Sequence, residues 1–183
     1  YLGRAGTATA ALAIGGYEGG PYKTETEEFN GSVWAEKGDL NTATNTIMCG
    51  GINTSAFAAG GRAGPAPTAV SQTFDGTSWT VGNSINTARR YGGGNGAPGA
   101  PSGIIFGGTT SGAAAAVANT ETFDGTSWTE QADLAVAVGG TVGGGGSNTS
   151  ALAFGGLNAS SAATNAVEEW NDPVYTNKTV TVS

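Results

Sequence analysis

Few residues in this sequence could carry out chemistry. Its 183 residues include no histidine and one cysteine, Cys49, with fourteen acidic and seven basic side chains. Without histidine, Ser-His-Asp and Cys-His nucleophiles and histidine-built metal sites are excluded, and one cysteine cannot form a cysteine-based zinc site or an intrachain disulfide. We therefore predict no catalytic residue, no metal ligand and no cofactor, and we interpret Cys49 as a buried free thiol.

Carboxylate pairs are the remaining candidates for catalysis, because two carboxyl groups can hydrolyse a glycoside. The adjacent pairs Glu27-Glu28 and Glu168-Glu169 do not suit this role, since neighbouring residues of a strand point to opposite faces. An acid or amide also recurs about once every 46 residues, at Glu27, Gln72, Glu121 and Glu168. We interpret this recurring position as a structural acceptor for backbone donors near the Gly-Gly pairs described below, the alternative being a ring of functional carboxylates.

Composition excludes several classes of partner. The net charge of −7 repels a phosphate backbone, so we expect no nucleic-acid partner. No apolar run approaches the ~20 residues of a membrane span, so we expect no membrane insertion. Glycine contributes 33 residues without the Gly-X-Y period of collagen. This composition favours short strands joined by many turns.

Two sequence motifs recur in phase along the chain. The first is a short apolar stretch that ends in Gly-Gly, and its second glycine returns every 45 to 48 residues. The second is an aromatic residue followed by Asx-Gly and a tryptophan, at residues 29–34, 74–79, 123–128 and, in degenerate form, 170–175. The glycine pairs are Gly15 and Gly16, Gly60 and Gly61, Gly107 and Gly108, and Gly155 and Gly156. Two motifs in fixed order over four copies indicate a tandem repeat.

Each repeat has the pattern of four short strands. The apolar stretch is typical of a buried strand that stops where a side chain would block a neighbouring backbone. The Asx-Gly pair predicts a tight hairpin between the third and fourth strands. A Gly-rich segment before each apolar stretch supplies the first strand, at residues 3–9, 49–53, 92–99 and 139–147. A period of about 40–50 residues with four strands is typical of a propeller blade.

The order of these motifs, followed by a Leu-Asn-Thr-Ala or Ile-Asn-Thr-Ala-Arg linker at Leu40 and Ile85, resembles kelch repeats. The sequence Phe-Asp-Gly-Thr-Ser-Trp-Thr is similar to the kelch-like repeats of marine bacteriophage proteins. The resemblance covers essentially the whole chain and implies an all-β fold. We predict a single domain over residues 1–183, a four-bladed kelch-like β-propeller with four antiparallel strands per blade. The alternative is four blades of a larger propeller. The predicted blades span about residues 1–40, 41–85, 86–134 and 135–183.

The recurring aromatic residues are interpreted as structure. An in-register aromatic is typical of the core between blades, with sugar stacking as the alternative. The residues concerned are Trp34, Trp79, Trp128 and, in the degenerate fourth copy, Tyr175. Residues 178–183 are predicted to form a last strand.

Functional residues are expected where the repeats differ. The loops after the Gly-Gly pairs emerge on one face of the predicted scaffold, as binding loops do. These loops offer Tyr17, Glu18, Tyr22 and Arg62, and an inserted segment at residues 89–101 adds Arg89, Arg90 and Tyr91. We predict that these seven residues bind a ligand. The alternatives are solvated loops and, for the inserted segment, a contact between subunits.

The resemblance implies a non-enzymatic structural protein of a bacteriophage virion, such as a tail fibre, spike or decoration protein. The expected partners are other virion proteins and a host-surface glycan, and a homotrimer is one expected assembly. The expected location is the virion or the extracellular space. A secreted or surface bacterial lectin is the alternative function, and a glycoside hydrolase is a distant one.

Overall fold

The computed structural model describes residues 1–96, 102–111, 115–140 and 142–171. All regular structure in this part of the chain is β-strand, as the glycine-rich composition predicts. Sheet 1 contains β1 (Gly3–Thr7), β2 (Ala10–Tyr17), β3 (Tyr22–Phe29) and β4 (Trp34–Glu36). Sheet 2 contains β5 (Met48–Ile52), β6 (Ser55–Ala59), β7 (Ser71–Phe74) and β8 (Trp79–Val81).

Sheet 3 repeats this arrangement with β9 (Gly93–Gly96), β10 (Gly103–Phe106), β11 (Thr120–Phe123) and β12 (Trp128–Glu130). A short pair, β13 (Val138–Gly139) with β16 (Leu157–Asn158), lies at the border of the last repeat. Sheet 4 contains β14 (Gly143–Gly146), β15 (Ser150–Phe154) and β17 (Val167–Asn171). Sheets 1 to 3 are four-stranded antiparallel meanders in chain order, and the described part of sheet 4 has three strands. Tyr175 and the predicted strand at 178–183 lie outside the described residues.

The predicted hairpins are present between the third and fourth strands of sheets 1 to 3. In sheet 2 the Asp75 carboxylate accepts hydrogen bonds from the backbone N–H groups of Thr77 and Ser78, both at 2.8 Å. Gly76 follows with a φ of 94°, in the left-handed region that glycine adopts without strain. Phe74 and Trp79 then face each other across the strand pair. The local sequence therefore determines the register of these two strands.

The Gly-Gly pairs mark the places where the linker to the next sheet crosses the end of the second strand. The N–H of Gly61 donates to the carbonyl of Arg89 at 2.9 Å, and Gly16 donates in the same way to Thr44. A side chain on Gly60 would lie 2.5 Å from the Arg89 carbonyl oxygen. The sequence prediction that these strands stop at a close backbone approach is confirmed.

Three apolar clusters join the four sheets in series. The first joins sheets 1 and 2, the second joins sheets 2 and 3, and the third joins sheets 3 and 4. We call the side of a sheet that faces the following sheet its forward face, and the opposite side its backward face. Side chains of the second strand alternate between them, so Leu12 points forward from sheet 1 while Ala56 and Ala58 point backward from sheet 2.

Candidate functional site

Three of the predicted loop residues form one cluster. Tyr17 ends β2 and Tyr22 begins β3, so they are cross-strand partners, and their ring centroids lie 5.7 Å apart. The Tyr22 hydroxyl donates to the carbonyl of Gly64 at 3.1 Å, and the Arg62 Nε donates to the same oxygen at 2.7 Å. The loops of sheets 1 and 2 are therefore tied together at the Gly64 carbonyl. Glu18 is exposed beside them.

This cluster combines two aromatic faces with one guanidinium group. Tyr17 is exposed, while Tyr22 and Arg62 are partly buried and are held by these hydrogen bonds. Tyrosine loses little conformational entropy on binding and offers both an apolar face and a hydroxyl group. The cluster can therefore stack on a flat, weakly apolar ligand surface and hydrogen bond to its edge.

A second cluster contains Arg90, Tyr91 and Tyr1. The guanidinium carbon of Arg90 lies 5.1 Å from the centroid of the Tyr91 ring, and Tyr1 packs edge-on against that ring at 5.6 Å. Arg90 also donates to the carbonyl of Ser111 at 2.8 Å. Tyr91 has a φ of 61°, which is uncommon for a residue with a bulky side chain. Tyr91 and Tyr1 border a cavity of about 740 Å³ lined by the first strands of the sheets.

Arg89 corrects the predicted set of loop residues. It was expected in an exposed ligand-binding segment, but it is fully buried and forms an ion pair with Glu121. Its Nε donates to the carbonyl of Gly107 at 2.9 Å. Because both members of the pair are buried, Arg89 supports the junction between sheets 2 and 3 and cannot meet an external ligand.

In the second, third and fourth repeats the recurring acid or amide is a structural acceptor, as predicted, but its donors lie in the linker. Glu27, at this position in the first repeat, is exposed. The Gln72 side-chain oxygen accepts from the N–H of Asn41 at 2.7 Å, and Glu121 accepts from the N–H of Asn86 at 2.7 Å. Glu168 accepts from the N–H groups of Ala135 and Val136 at 2.6 and 3.0 Å. The expectation of donors near the Gly-Gly pairs was wrong, because each acceptor faces backward onto the linker that enters its own sheet.

The tryptophans occupy equivalent positions but different surroundings. Trp79 and Trp128 are 5% and 7% exposed, which confirms them as core between sheets, whereas Trp34 is 51% exposed. The indole N–H of Trp79 donates to the Thr26 hydroxyl at 2.9 Å, and that of Trp128 donates to the Ser71 hydroxyl at 3.0 Å. Each indole thus bonds to the preceding sheet. For Trp34 the prediction was wrong, because no sheet of the described residues buries the backward face of sheet 1.

Burial and hydrogen bonding shift the pKa of three groups that sequence analysis singled out as motif members or as the lone thiol. Burial raises the pKa of the Cys49 thiol to about 12, which confirms it as a buried free thiol without nucleophilic character at neutral pH. Backbone N–H donors hold the pKa of Asp75 and Asp124 below the usual value for aspartate. These carboxylates therefore stabilise turns.

Two further kinds of feature are absent from the described residues. Nowhere in these ranges do three or more His, Cys, Asp or Glu side chains come together in a way that could hold a metal ion. The described part of the chain also has no helix that is long and apolar enough to cross a membrane.

Sequence reasoning missed the hydroxyl acceptors of the indoles and the buried ion pair. The acceptors Thr26 and Ser71 occupy the position three residues before the aromatic residue of the second motif, where the third repeat has Thr120. This recurrence was a readable signal. The pairing of Arg89 with Glu121 had a weaker signal, since Thr44 and Gln72 occupy the corresponding positions one repeat earlier.

No protein-family model matches the chain, and a comparison with curated proteins finds no significant match. The candidate function therefore rests on the geometry described above and on the resemblance carried by the motifs.

Proposed function

We propose that the four sheets are blades of a kelch-like β-propeller, with sheet 4 a degenerate blade. The serial packing of antiparallel meanders through three similar clusters supports this arrangement. Two architectures were predicted, a closed ring of four blades and four blades of a larger propeller. The half-exposed Trp34 on the backward face of sheet 1 favours the larger propeller.

The function that the site supports best is non-enzymatic display and attachment. In this proposal the chain is a structural protein of a bacteriophage virion, of the tail-fibre, spike or decoration type, that presents its loop face to a host-surface glycan. The observation that carries the binding role is the Tyr17, Tyr22 and Arg62 cluster around the Gly64 carbonyl. The virion assignment is supported by the resemblance of the repeats to those of marine phages.

The cluster suits a carbohydrate ligand for two physical reasons. The cross-strand tyrosines offer adjacent ring faces on a rigid β-scaffold, so binding does not have to order them. The guanidinium is fixed by its bond to the Gly64 carbonyl, which leaves its remaining N–H groups to donate to hydroxyl or carboxylate oxygens. A pyranose ring provides both an apolar face and a polar edge.

The carboxylates support a role without catalysis. Glu121 is buried in an ion pair and Glu168 accepts two linker N–H groups, so neither is available to protonate a glycosidic oxygen. Gln72 replaces the acid in the second repeat. In these three repeats the recurring position therefore holds the linker against its own sheet.

Glycan binding by loop variants tests the ligand assignment. The 183-residue chain is applied to a glycan array beside Y17A, R62A and Y22F, and Y91A serves as the control from the second cluster. We expect Y17A and R62A to lose at least tenfold in affinity for any glycan that the chain binds. Y22F removes only the bond to Gly64 and should lose less. Unchanged binding by Y17A and R62A, or loss confined to Y91A, would rule out this cluster as the site.

Labelling of phage particles tests the virion assignment. Antibodies against the chain are applied to purified particles and viewed by electron microscopy. Regular labelling of a tail, spike or capsid surface is the expected result. A chain that binds glycans but is absent from every particle would instead support the secreted or surface lectin predicted as the alternative.

A further inference from the structure

The first and last sheets each leave one apolar face exposed. On the forward face of sheet 4, Leu152 is 45% exposed, Phe154 is 46% exposed and Val167 is 66% exposed. The equivalent residues of the other three sheets are buried, as are Leu12, Phe57 and Ile104 in the column of Leu152. On the backward face of sheet 1, Trp34 is half exposed where Trp79 and Trp128 are buried. Sheet 4 therefore exposes a forward face, and sheet 1 exposes a backward face.

Each internal junction joins one forward face to one backward face. The forward face supplies larger apolar residues from the second strand, such as Leu12 and Ile14 in the first junction. The backward face supplies smaller residues from its second strand, such as Ala56 and Ala58, together with an aromatic pair. Large side chains thus cover small ones in this junction, and Ile104 and Phe106 cover Ala151 and Ala153 in the third, whereas the second junction has Ile105 on its backward face.

The two exposed faces have the features of the two halves of such a junction. Sheet 4 offers Leu152 and Phe154 in the forward columns. Sheet 1 offers Ala11 and Ala13 in the backward columns, followed by Phe29 and Trp34. The pattern of large residues over small ones and an aromatic pair is therefore available between sheet 4 and sheet 1.

The aromatic half of this surface is already arranged for docking. The rings of Phe29 and Trp34 lie 5.2 Å apart at an interplanar angle of 37°. In the buried backward face of sheet 2, Phe74 and Trp79 lie 5.0 Å apart at 35°. Since the exposed pair has almost the geometry of the buried one, docking would require little rearrangement.

We propose that the forward face of sheet 4 in one copy of this chain docks on the backward face of sheet 1 in a second copy. Among the described residues of one chain both faces are half exposed at the same time, so neither face covers the other. A head-to-tail contact made twice closes two copies into a ring of eight blades, within the usual range of about four to eight. This inference rests on the propeller proposed above.

The new junction lacks one bond that the first two internal junctions have. Val167 occupies the position of Thr26 and Ser71, whose hydroxyls accept the indole N–H of the following sheet. In a junction between sheets 4 and 1, the Trp34 N–H would face a valine. We therefore expect this contact to be weaker than the internal junctions and to dissociate on dilution.

Sedimentation velocity of the 183-residue chain over a range of concentrations tests the contact. The wild-type chain should change from monomer to dimer as its concentration rises. W34A and L152E, one on each face, should each remain monomeric. An equimolar mixture of the two variants should form dimers only at a higher concentration than the wild type, because one of the two contacts of the ring is intact. Circular dichroism checks that both variants are folded.

A gain of affinity tests the missing bond directly. V167T restores a hydroxyl acceptor for Trp34 and should tighten the dimer about five- to tenfold. V81T is the matched control, because it makes the same change on an exposed strand residue of sheet 2 and should leave the dimer affinity unchanged.

Several results would overturn the proposal. These are a wild-type chain that stays monomeric at every concentration, a dimer that survives W34A, and open-ended polymers in place of a closed pair. A wild-type monomer at every concentration whose Trp34 is shielded from acrylamide quenching would show that the chain closes on itself. Glycan binding by monomeric W34A is measured separately, so failure of the ring is distinguishable from failure of the loop assignment.

Discussion

The junction between sheets 1 and 2 and the junction between sheets 2 and 3 share one backbone plan but differ in charge. In the first, Gln72 accepts the Asn41 N–H, and the Asn41 side chain donates to the Trp79 carbonyl at 2.7 Å. In the second, Glu121 accepts the Asn86 N–H, and Asn86 donates to the Trp128 carbonyl at 3.3 Å. The difference is that Glu121 carries a charge into a buried site.

A buried charge must be compensated, and the second junction does so from the linker. Arg89 takes the position that Thr44 occupies one repeat earlier and pairs with Glu121. The amide of Gln72 needs no such partner, because a neutral acceptor costs less to bury. The comparison shows that one repeat position can hold either a neutral or a charged acceptor if the facing linker residue changes with it.

The largest expected effect comes from breaking the charged junction. R89A leaves the Glu121 carboxylate buried without its counter-ion and should lower the free energy of unfolding by about 3–5 kcal/mol. Urea unfolding at a fixed protein concentration, followed by tryptophan fluorescence, measures it. K23A is the control, because Lys23 and Glu25 form an exposed pair at 3.2 Å whose loss should cost about 0–1 kcal/mol.

The double variant R89T/E121Q converts the charged junction into the neutral one. It copies Thr44 and Gln72, so it should be more stable than R89A despite carrying an additional substitution. Its change in unfolding free energy minus the sum of the changes for R89T and E121Q measures the coupling between the two positions. A double variant as unstable as the sum of R89T and E121Q would show that the two junctions differ in more than charge.

The next effect concerns the indole bonds, which the two junctions share. T26V and S71A each leave a buried indole N–H without its acceptor, and each should cost about 1–3 kcal/mol. The same unfolding measurement applies. T120V is the control, because the buried Thr120 hydroxyl has no hydrogen-bond partner among the described residues and its loss should be close to neutral. A large cost for T120V, or none for the other two, would contradict equivalent indole bonds.

Local features of the fold could be predicted from the sequence, because their causes lie within a few residues. The hairpin at Asp75 and Gly76 follows from a side chain that caps its own turn and a glycine with positive φ. The strand end at Gly60 follows from the Gly-Gly motif. The closeness of Tyr17 and Tyr22 could be predicted because both residues border one short loop.

Features that depend on the neighbouring sheet could not be predicted. Arg89 sits beside Arg90 in the sequence, and only the approach of β11 determines that one is buried and the other is not. Trp34 has the same motif as Trp79, yet its exposure depends on whether another sheet precedes it. A repeat pattern therefore predicts what each position can do, while the surroundings determine which copies do it.

The smallest expected effect concerns the exposed hairpins, where a neutral side chain can again be compared with charged ones. Asn30 in sheet 1 occupies the position of Asp75 and Asp124, and its side-chain oxygen accepts the Ser32 and Val33 N–H groups at 3.0 and 3.1 Å. The aspartates make the same bonds but titrate, and these bonds lower their pKa. Their contribution is fully present above the unfolded pKa of about 3.9 and is lost as pH falls through the lower folded value.

The D75N/D124N double variant should therefore keep both turns, and its folding stability should depend less on pH in the acid range. The urea midpoint at pH 7 should fall only slightly, since the asparagines supply the same acceptors. Between about pH 4 and pH 2 the wild-type midpoint should fall more steeply than that of the double variant. Identical slopes would show that the two carboxylates gain nothing from their backbone donors, and that charge matters to this repeat only where the junctions bury it.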